Sequence, residues 1–142
     1  PSYSFGCAGN VNRARLQGAT LSGAHRLGAV KLRAQLDLLR ANDQATGQRL
    51  PRRAAHQGSV GVDWAVANWT LGAQVLNVGA RPDGGKTLAA ETTLDLNALW
   101  RVAPAWTLQA KLVNATDREL EPARDYQGLG RQAWLVLRWE TQ

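Results

Sequence analysis

Apolar and polar residues alternate along most of this chain, and the alternation has a period of two. From Val30 onward, Val30, Leu32, Ala34, Leu36 and Leu38 are apolar, while Lys31, Arg33, Gln35 and Asp37 stand between them. A helix would spread both sets around its circumference, whereas a strand gives each set its own face. Ala and Leu favour helices, so composition alone points the wrong way here. The same alternation predicts strands over Asn10–Leu27, Ser59–Val66, Trp69–Gly79, Thr92–Val102, Trp106–Asn114 and Arg131–Trp139. In the first of these, Ala14, Leu16 and Gly18 fall on one side and Arg13, Arg15 and Gln17 on the other. The arginine side is read as part of the polar face.

The links between these seven segments alternate in length. Short ones fall at Leu27–Ala29, Ala67–Asn68 and Ala103–Ala105. Long ones span Ala41–Arg53, Ala80–Glu91 and Ala115–Gly130, and they hold most of the turn-forming residues, including Pro82-Asp83-Gly84-Gly85. Short turns on one rim and long loops on the other are the layout of an outer-membrane β-barrel. Two of the short turns echo each other: Ala67-Asn68 and Pro104-Ala105 are each followed by Trp-Thr-Leu.

Five of the six tryptophans collect at the short-turn rim. Trp64 and Trp69 flank one short turn, Trp100 and Trp106 flank the next, and Trp139 closes the last segment at the same level. Indole has an apolar ring and a single N–H donor, so it suits the headgroup level of a bilayer. Two readings fit the alternation: a membrane barrel with an aromatic girdle, or a soluble barrel with these rings at the base of its core. The gathering of Trp at one rim favours the membrane. The polar face, which includes Arg33, Asp63, Asp95 and Lys111, then looks into a lumen.

Composition adds bounds. At 142 residues the chain has room for one ordinary domain. No apolar run is long enough for a membrane-spanning helix, but a barrel strand needs only about 9–11 residues. Pro1–Asn10 lacks a basic region followed by an apolar run, so no signal peptide is read there. One cysteine, Cys7, precludes an internal disulfide. The net charge of +6 suits an anionic partner. No phosphate loop, Ser-His-Asp set or HExxH motif is present, so no enzyme activity and no cofactor are expected. The carboxylates Asp117, Glu119, Glu121 and Asp125 lack metal-ligand spacing and are interspersed with Arg118 and Arg124, which predicts local ion pairs. His25 and His56 are read as interfacial or lumenal.

Several stretches carry a family resemblance: Asn12-Arg13-Ala14-Arg15-Leu16-Gln17-Gly18, Leu50-Pro51-Arg52-Arg53-Ala54, Trp106 through Asn114, and Thr116-Asp117-Arg118-Glu119-Leu120, followed by Tyr126, Gly128 and Gly130-Arg131. The chain resembles the C-terminal part of a TonB-dependent outer-membrane receptor, and within that family the vitamin B12 (cobalamin) receptors. The family usually carries Asn-Leu-Phe-Asp-Lys-Asp-Tyr where this chain has Asn114 to Leu120; the aromatic residues are absent here. The resemblance implies antiparallel transmembrane strands, short periplasmic turns and long extracellular loops, in a Gram-negative outer membrane. It implies a barrel of 22 strands around a plug that contacts TonB. Residues 10–139 would be seven of those strands, 1–9 the stub of a preceding one, and 140–142 a tail. The expected partners are outer-membrane lipid, lipopolysaccharide and the rest of the receptor.

Ligand-facing candidates in the external loops are Arg49, Arg52, Arg53, Arg81, Lys86, Arg124 and Tyr126. Arg49, Arg52 and Arg53 suit lipopolysaccharide or the edge of an anionic ligand, and equally a salt-bridged barrel rim. Trp64, Trp69, Trp100, Trp106 and Trp139 are the expected membrane-interface aromatics. Two other classes compete. A small standalone barrel with a structural or adhesive role needs Pro1–Gly9 to supply an eighth crossing. A soluble basic barrel binding nucleic acid needs aromatics on its cationic face, and here they lie on the apolar one, so no nucleic-acid partner is expected.

Overall fold

The computed structural model describes residues 13–140. Among these residues there is no helix; nine strands form in the order β1 (Ala14–Leu27), β2 (Val30–Asp43), β3 (His56–Val66), β4 (Trp69–Val78), β5 (Arg81–Asp83), β6 (Lys86–Leu88), β7 (Glu91–Ala103), β8 (Trp106–Val113) and β9 (Gln132–Trp139). Seven make one antiparallel sheet, ordered β1-β2-β3-β4-β7-β8-β9. Each strand pairs with its predecessor in the sheet, as expected of an up-and-down barrel wall. The wall is open: among the described residues, β1 and β9 each have one unpaired edge. The expected stub, residues 1–9, lies outside the described residues, as do Cys7 and two of the three tail residues.

Two-residue turns close the short rim. Gly28 and Ala67 begin their turns with φ of 57° and 49°. Glycine takes that conformation freely, while alanine is strained there by Cβ. The third turn, Pro104-Ala105, follows a register shift between Arg101 and Ala103.

The long loops differ from expectation in one place. Ala80–Glu91 is not a plain loop: β5 and β6 pair as a separate hairpin, turned by Gly84 and Gly85 at φ of 57° and 84°. Successive positive φ values match the right-handed twist of a tight hairpin. Three-residue strands show no alternation to read, so only the Asp-Gly-Gly run marked it. β2 also continues past Leu38 to Asp43, carrying the wall further toward the loops.

The register decides which residues share a face. One row reads Ala19, Leu38 and His56; the next Leu21, Leu36, Gly58, Asn77 and Thr92; then Gly23, Ala34, Val60, Val75 and Leu94. Two further rows lead to Trp64 and its neighbours. Val30 to Leu38 covers about 27 Å of strand at ~3.4 Å per residue. Once tilted, that length matches the apolar band of a membrane barrel.

The register corrects one expectation. Arg15 lies opposite Asn42, and Gln17 opposite Arg40. Both therefore share the face of Leu21 and Leu36, not that of Arg33 and Asp37. Alternation along β1 changes phase between Gly18 and Ala19. It changes in β2 between Leu38 and Leu39, which are the partners of those two residues. Paired strands that switch together mark the level at which the surroundings change.

Candidate functional site

Three regions of the wall carry chemistry. At the short-turn rim, Trp69 and Trp100 are directly paired across β4 and β7, their rings parallel with centroids 5.0 Å apart. Trp106 and Trp139 pair likewise across β8 and β9, tilted at 6.3 Å. Trp64 sits one row further in, between Val30 and Leu71. All five expected interface aromatics thus lie on the apolar face at one rim. Trp134, the sixth, is opposite Lys111 on the other face.

That second face is polar and pre-arranged. Arg33 reaches the Asp63 carboxylate at 3.1 Å, and its guanidinium lies across Gly61, where a Cβ would meet it at 3.3 Å. The Asn97 amide occupies the space that a Cβ at Gly72 would need. Asp37 accepts hydrogen bonds from Thr20 at 2.6 Å and Gln35 at 2.9 Å. A continuous row, Arg26, Lys31, Asp63, Gly72, Asn97, Lys111 and Trp134, crosses all seven strands. Both histidines instead lie on the apolar face: His25 opposite Leu32, and His56 with its ring over Gly79.

The third region is the loop rim, where polar residues build a small core. Arg81 is buried, and its Nη2 donates to Glu91 Oε2 at 3.0 Å and to the Glu121 carbonyl at 2.8 Å. Glu91 also accepts from the Glu121 N–H at 2.6 Å, and Lys86 donates to the Glu121 carboxylate at 2.6 Å. Asp83, 4% exposed, accepts from the Arg124 N–H at 2.8 Å and from Arg52 Nε at 3.0 Å. Arg124 further donates to the Gly84 carbonyl. The β5–β6 hairpin is thereby tied to both neighbouring loops, and its Leu88 is fully buried.

These contacts stabilise the charged carboxylates. The Arg124 N–H, assisted by Arg52, holds Asp83 below the ordinary carboxyl range, against the opposing effect of burial. The Lys86 ammonium, assisted by the Asp125 N–H, does the same for Glu121. Asp117 and Asp125 pair with Arg131 and Arg124, as the mixed charges of that loop predict. Among the described residues, no group of three or more His, Cys, Asp or Glu side chains could hold a metal ion.

Asn114 is a residue whose structural part sequence reading missed. It is 1% exposed at φ 51°. Its amide donates to the Arg118 carbonyl and accepts from the Arg118 N–H, at 2.8 and 2.9 Å. Its own N–H donates to Asp95 at 2.9 Å. An asparagine at a strand end, followed by polar residues, is the available signal for such a left-handed turn.

The expected ligand-facing residues separate in space. Arg49 bridges to Asn42, on the apolar face of the wall above the apolar band. Arg52 and Arg53 border a recess with Asp37 and Gln57, on the polar face. Arg81 belongs to the loop core, while Lys86 and Arg124 lie at its surface, each about half exposed. Tyr126 is 71% exposed.

This wall matches known proteins. A family model, TonB dependent receptor-like, beta-barrel, covers residues 2–115. The chain belongs to the TonB-dependent receptor β-barrel family. Its curated relatives include a vitamin B12 transporter BtuB from Vibrio vulnificus (strain YJ016), 28% identical over 136 residues. A second, from Vibrio cholerae serotype O1, is 26% identical over 140. Each alignment takes in 92% of this chain and 22% of the relative, so the chain spans about a fifth of their length. Among solved structures, the copper transporter OprC superposes with a TM-score of 0.78 at 18% identity, over 89% of this chain and 23% of that one. A variant of the ferric enterobactin receptor PfeA from Pseudomonas aeruginosa gives 0.76 at 18%, over 92% and 23%. These likenesses establish the fold, a wall segment of a TonB-dependent receptor β-barrel; in a transmembrane barrel the apolar face meets lipid and the polar face the lumen.

Proposed function

We propose that this chain forms wall and external loops of a Gram-negative outer-membrane receptor that takes up cobalamin or a similar large, scarce nutrient. The observation that carries the ligand is the alignment with vitamin B12 transporters over 92% of the chain. The fold alone does not select it, since structures of the same fold are named for copper and for ferric enterobactin. In this reading, TonB delivers energy through a plug elsewhere in the whole protein. The five rim tryptophans anchor the wall at the periplasmic membrane interface. The loop core presents Arg52, Arg53, Lys86, Arg124 and Tyr126 toward an arriving ligand, and Arg81 holds that core in shape. Arg49 belongs to the outer surface.

The test uses the full-length polypeptide that carries this chain, expressed in cells lacking their own cobalamin receptor. Labelled cyanocobalamin is expected to accumulate with TonB present and to remain at background without it. Uptake of a ferric siderophore or copper in place of cobalamin would overturn the ligand while leaving a TonB-driven receptor. Uptake independent of TonB would overturn the transport reading.

A further inference from the structure

Two features of the lipid-facing side of the wall lie one above the other. The upper is cationic. Arg15, Asn42 and Arg49 form one row across β1, β2 and the following loop, and Gln17 with Arg40 forms the row beneath. All three arginines are exposed, and none makes an ion pair among the described residues. Asp43, the one carboxylate bordering the recess that Arg15 and Arg40 line, accepts from the Ala45 N–H at 2.8 Å. The phase change at Gly18–Ala19 and Leu38–Leu39 places this patch just outside the apolar band, on the long-loop side.

The lower feature is an apolar trough of about 600 Å³. Its floor is Gly23 and Ala34, paired across β1 and β2, with Gly58 of β3 in the adjacent row, and its walls are Leu21, Leu36 and Val60. Nothing lies within 4 Å of where a Cβ on Gly23 would stand, so the trough is open at that point. From Arg40 to Ala34 is about 20 Å along β2, at ~3.4 Å per residue. That is the reach of an extended acyl chain.

We propose that this surface is a binding site for one phosphate-bearing glycolipid of the outer leaflet, its phosphate held by Arg15, Arg40 and Arg49 and one acyl chain lying in the trough. Guanidinium groups recognise phosphate oxygens through paired N–H donors, and desolvation at the membrane surface strengthens that contact. A second copy of this chain is a poor occupant, since it would bring the same positive charge against the patch. A lipid with a neutral headgroup would leave three cations unmatched. The proposal rests on the outward orientation of this face, and it is independent of which nutrient the receptor carries.

The test is retention of added lipid by the full-length polypeptide in detergent, read by native mass spectrometry. The probes are a bis-phosphorylated lipid A, the same glycolipid stripped of phosphate, phosphatidylethanolamine, and inorganic phosphate alone. The wild type is expected to retain the phosphorylated glycolipid and to discriminate against the other three. Arg15→Gln, Arg40→Gln and Arg49→Gln should each weaken retention roughly fivefold, as expected for one surface cation against an anionic lipid. Gly23→Leu should also weaken it by filling the trough, while Lys31→Gln, on the lumenal face, should leave it unchanged. Equal retention of the dephosphorylated glycolipid, or unchanged retention by the three arginine variants, would overturn the proposal. So would a wild type that keeps TonB-dependent uptake yet retains no glycolipid, an outcome that leaves the receptor reading standing.

Discussion

The two rims of this wall solve opposite problems. At the short-turn rim the chain reverses in two residues, and the large side chains stand exposed on the apolar face, the one a transmembrane barrel turns to lipid. Trp64, Trp69, Trp106 and Trp139 are all at least 40% exposed in the protein alone. At the long-loop rim no lipid covers the chain, so the loops make their own interior. The fully buried side chains there are Leu88 and Asn114, with Arg81 and Asp83 close behind. A membrane wall takes its core from the solvent at one end and from hydrogen bonds at the other. Removing a side chain should therefore have different consequences at the two rims.

The largest expected effect separates the faces of the band between the rims. Val75→Arg places a charge on the lipid side, in the middle row of the band with Ala34 and Val60, and should cost about 2–4 kcal/mol near the bilayer midplane. Gln74→Arg, one residue back, points into the lumen and should cost far less. Denaturant titration of the full-length protein in bilayers measures both, and equal costs would erase the distinction between faces. At the loop rim, Asn114→Ala strips two backbone groups of Arg118 of their partners in a buried turn. A loss of about 1–3 kcal/mol is expected from those unsatisfied groups, seen in the same titration.

Acid should loosen the loop rim before the band. The carboxyl of Asp83 is held below its ordinary pKa, so its contribution is fully present above that ordinary value. It is lost as pH falls through the depressed, folded-state value. Amide hydrogen exchange in the β5–β6 hairpin should therefore speed up below about pH 4, where free carboxyls protonate, while β3 and β4 stay protected. Simultaneous loss of protection would mean that the rims are not separate units. The smallest effect belongs to the short-turn rim. Ala67→Gly relieves a left-handed alanine and should raise stability by about 1 kcal/mol. No change would show that this turn carries no strain.

The number of wall strands, their antiparallel order and the gathering of five tryptophans at one rim were legible in the sequence because a half-exposed strand has a period that local residues alone reveal. Phase was not. Arg13, Arg15 and Gln17 read as lumenal because β1 opens on Ala14 and Leu16, and only pairing with Arg40 and Asn42 places Arg15 and Gln17 with Leu21. The β5–β6 hairpin hid for a related reason, its strands being shorter than the pattern that would announce them. Arg49, Arg52 and Arg53 look like one cluster in the chain, yet the loop carries the first to the outer face and the other two over the lumen.

Residue by residue, the sequence by itself determined that this chain would be a wall of alternating strands with one aromatic rim, since each strand's two faces meet different surroundings along its whole length. Only the tertiary structure decided at what height those surroundings change, which arginines look outward, and how Arg81, Asp83, Glu91 and Glu121 lock three loops together. Those features depend on register and on contacts between residues some 10 to 41 positions apart in the chain, and no local pattern records which distant partner a side chain will meet.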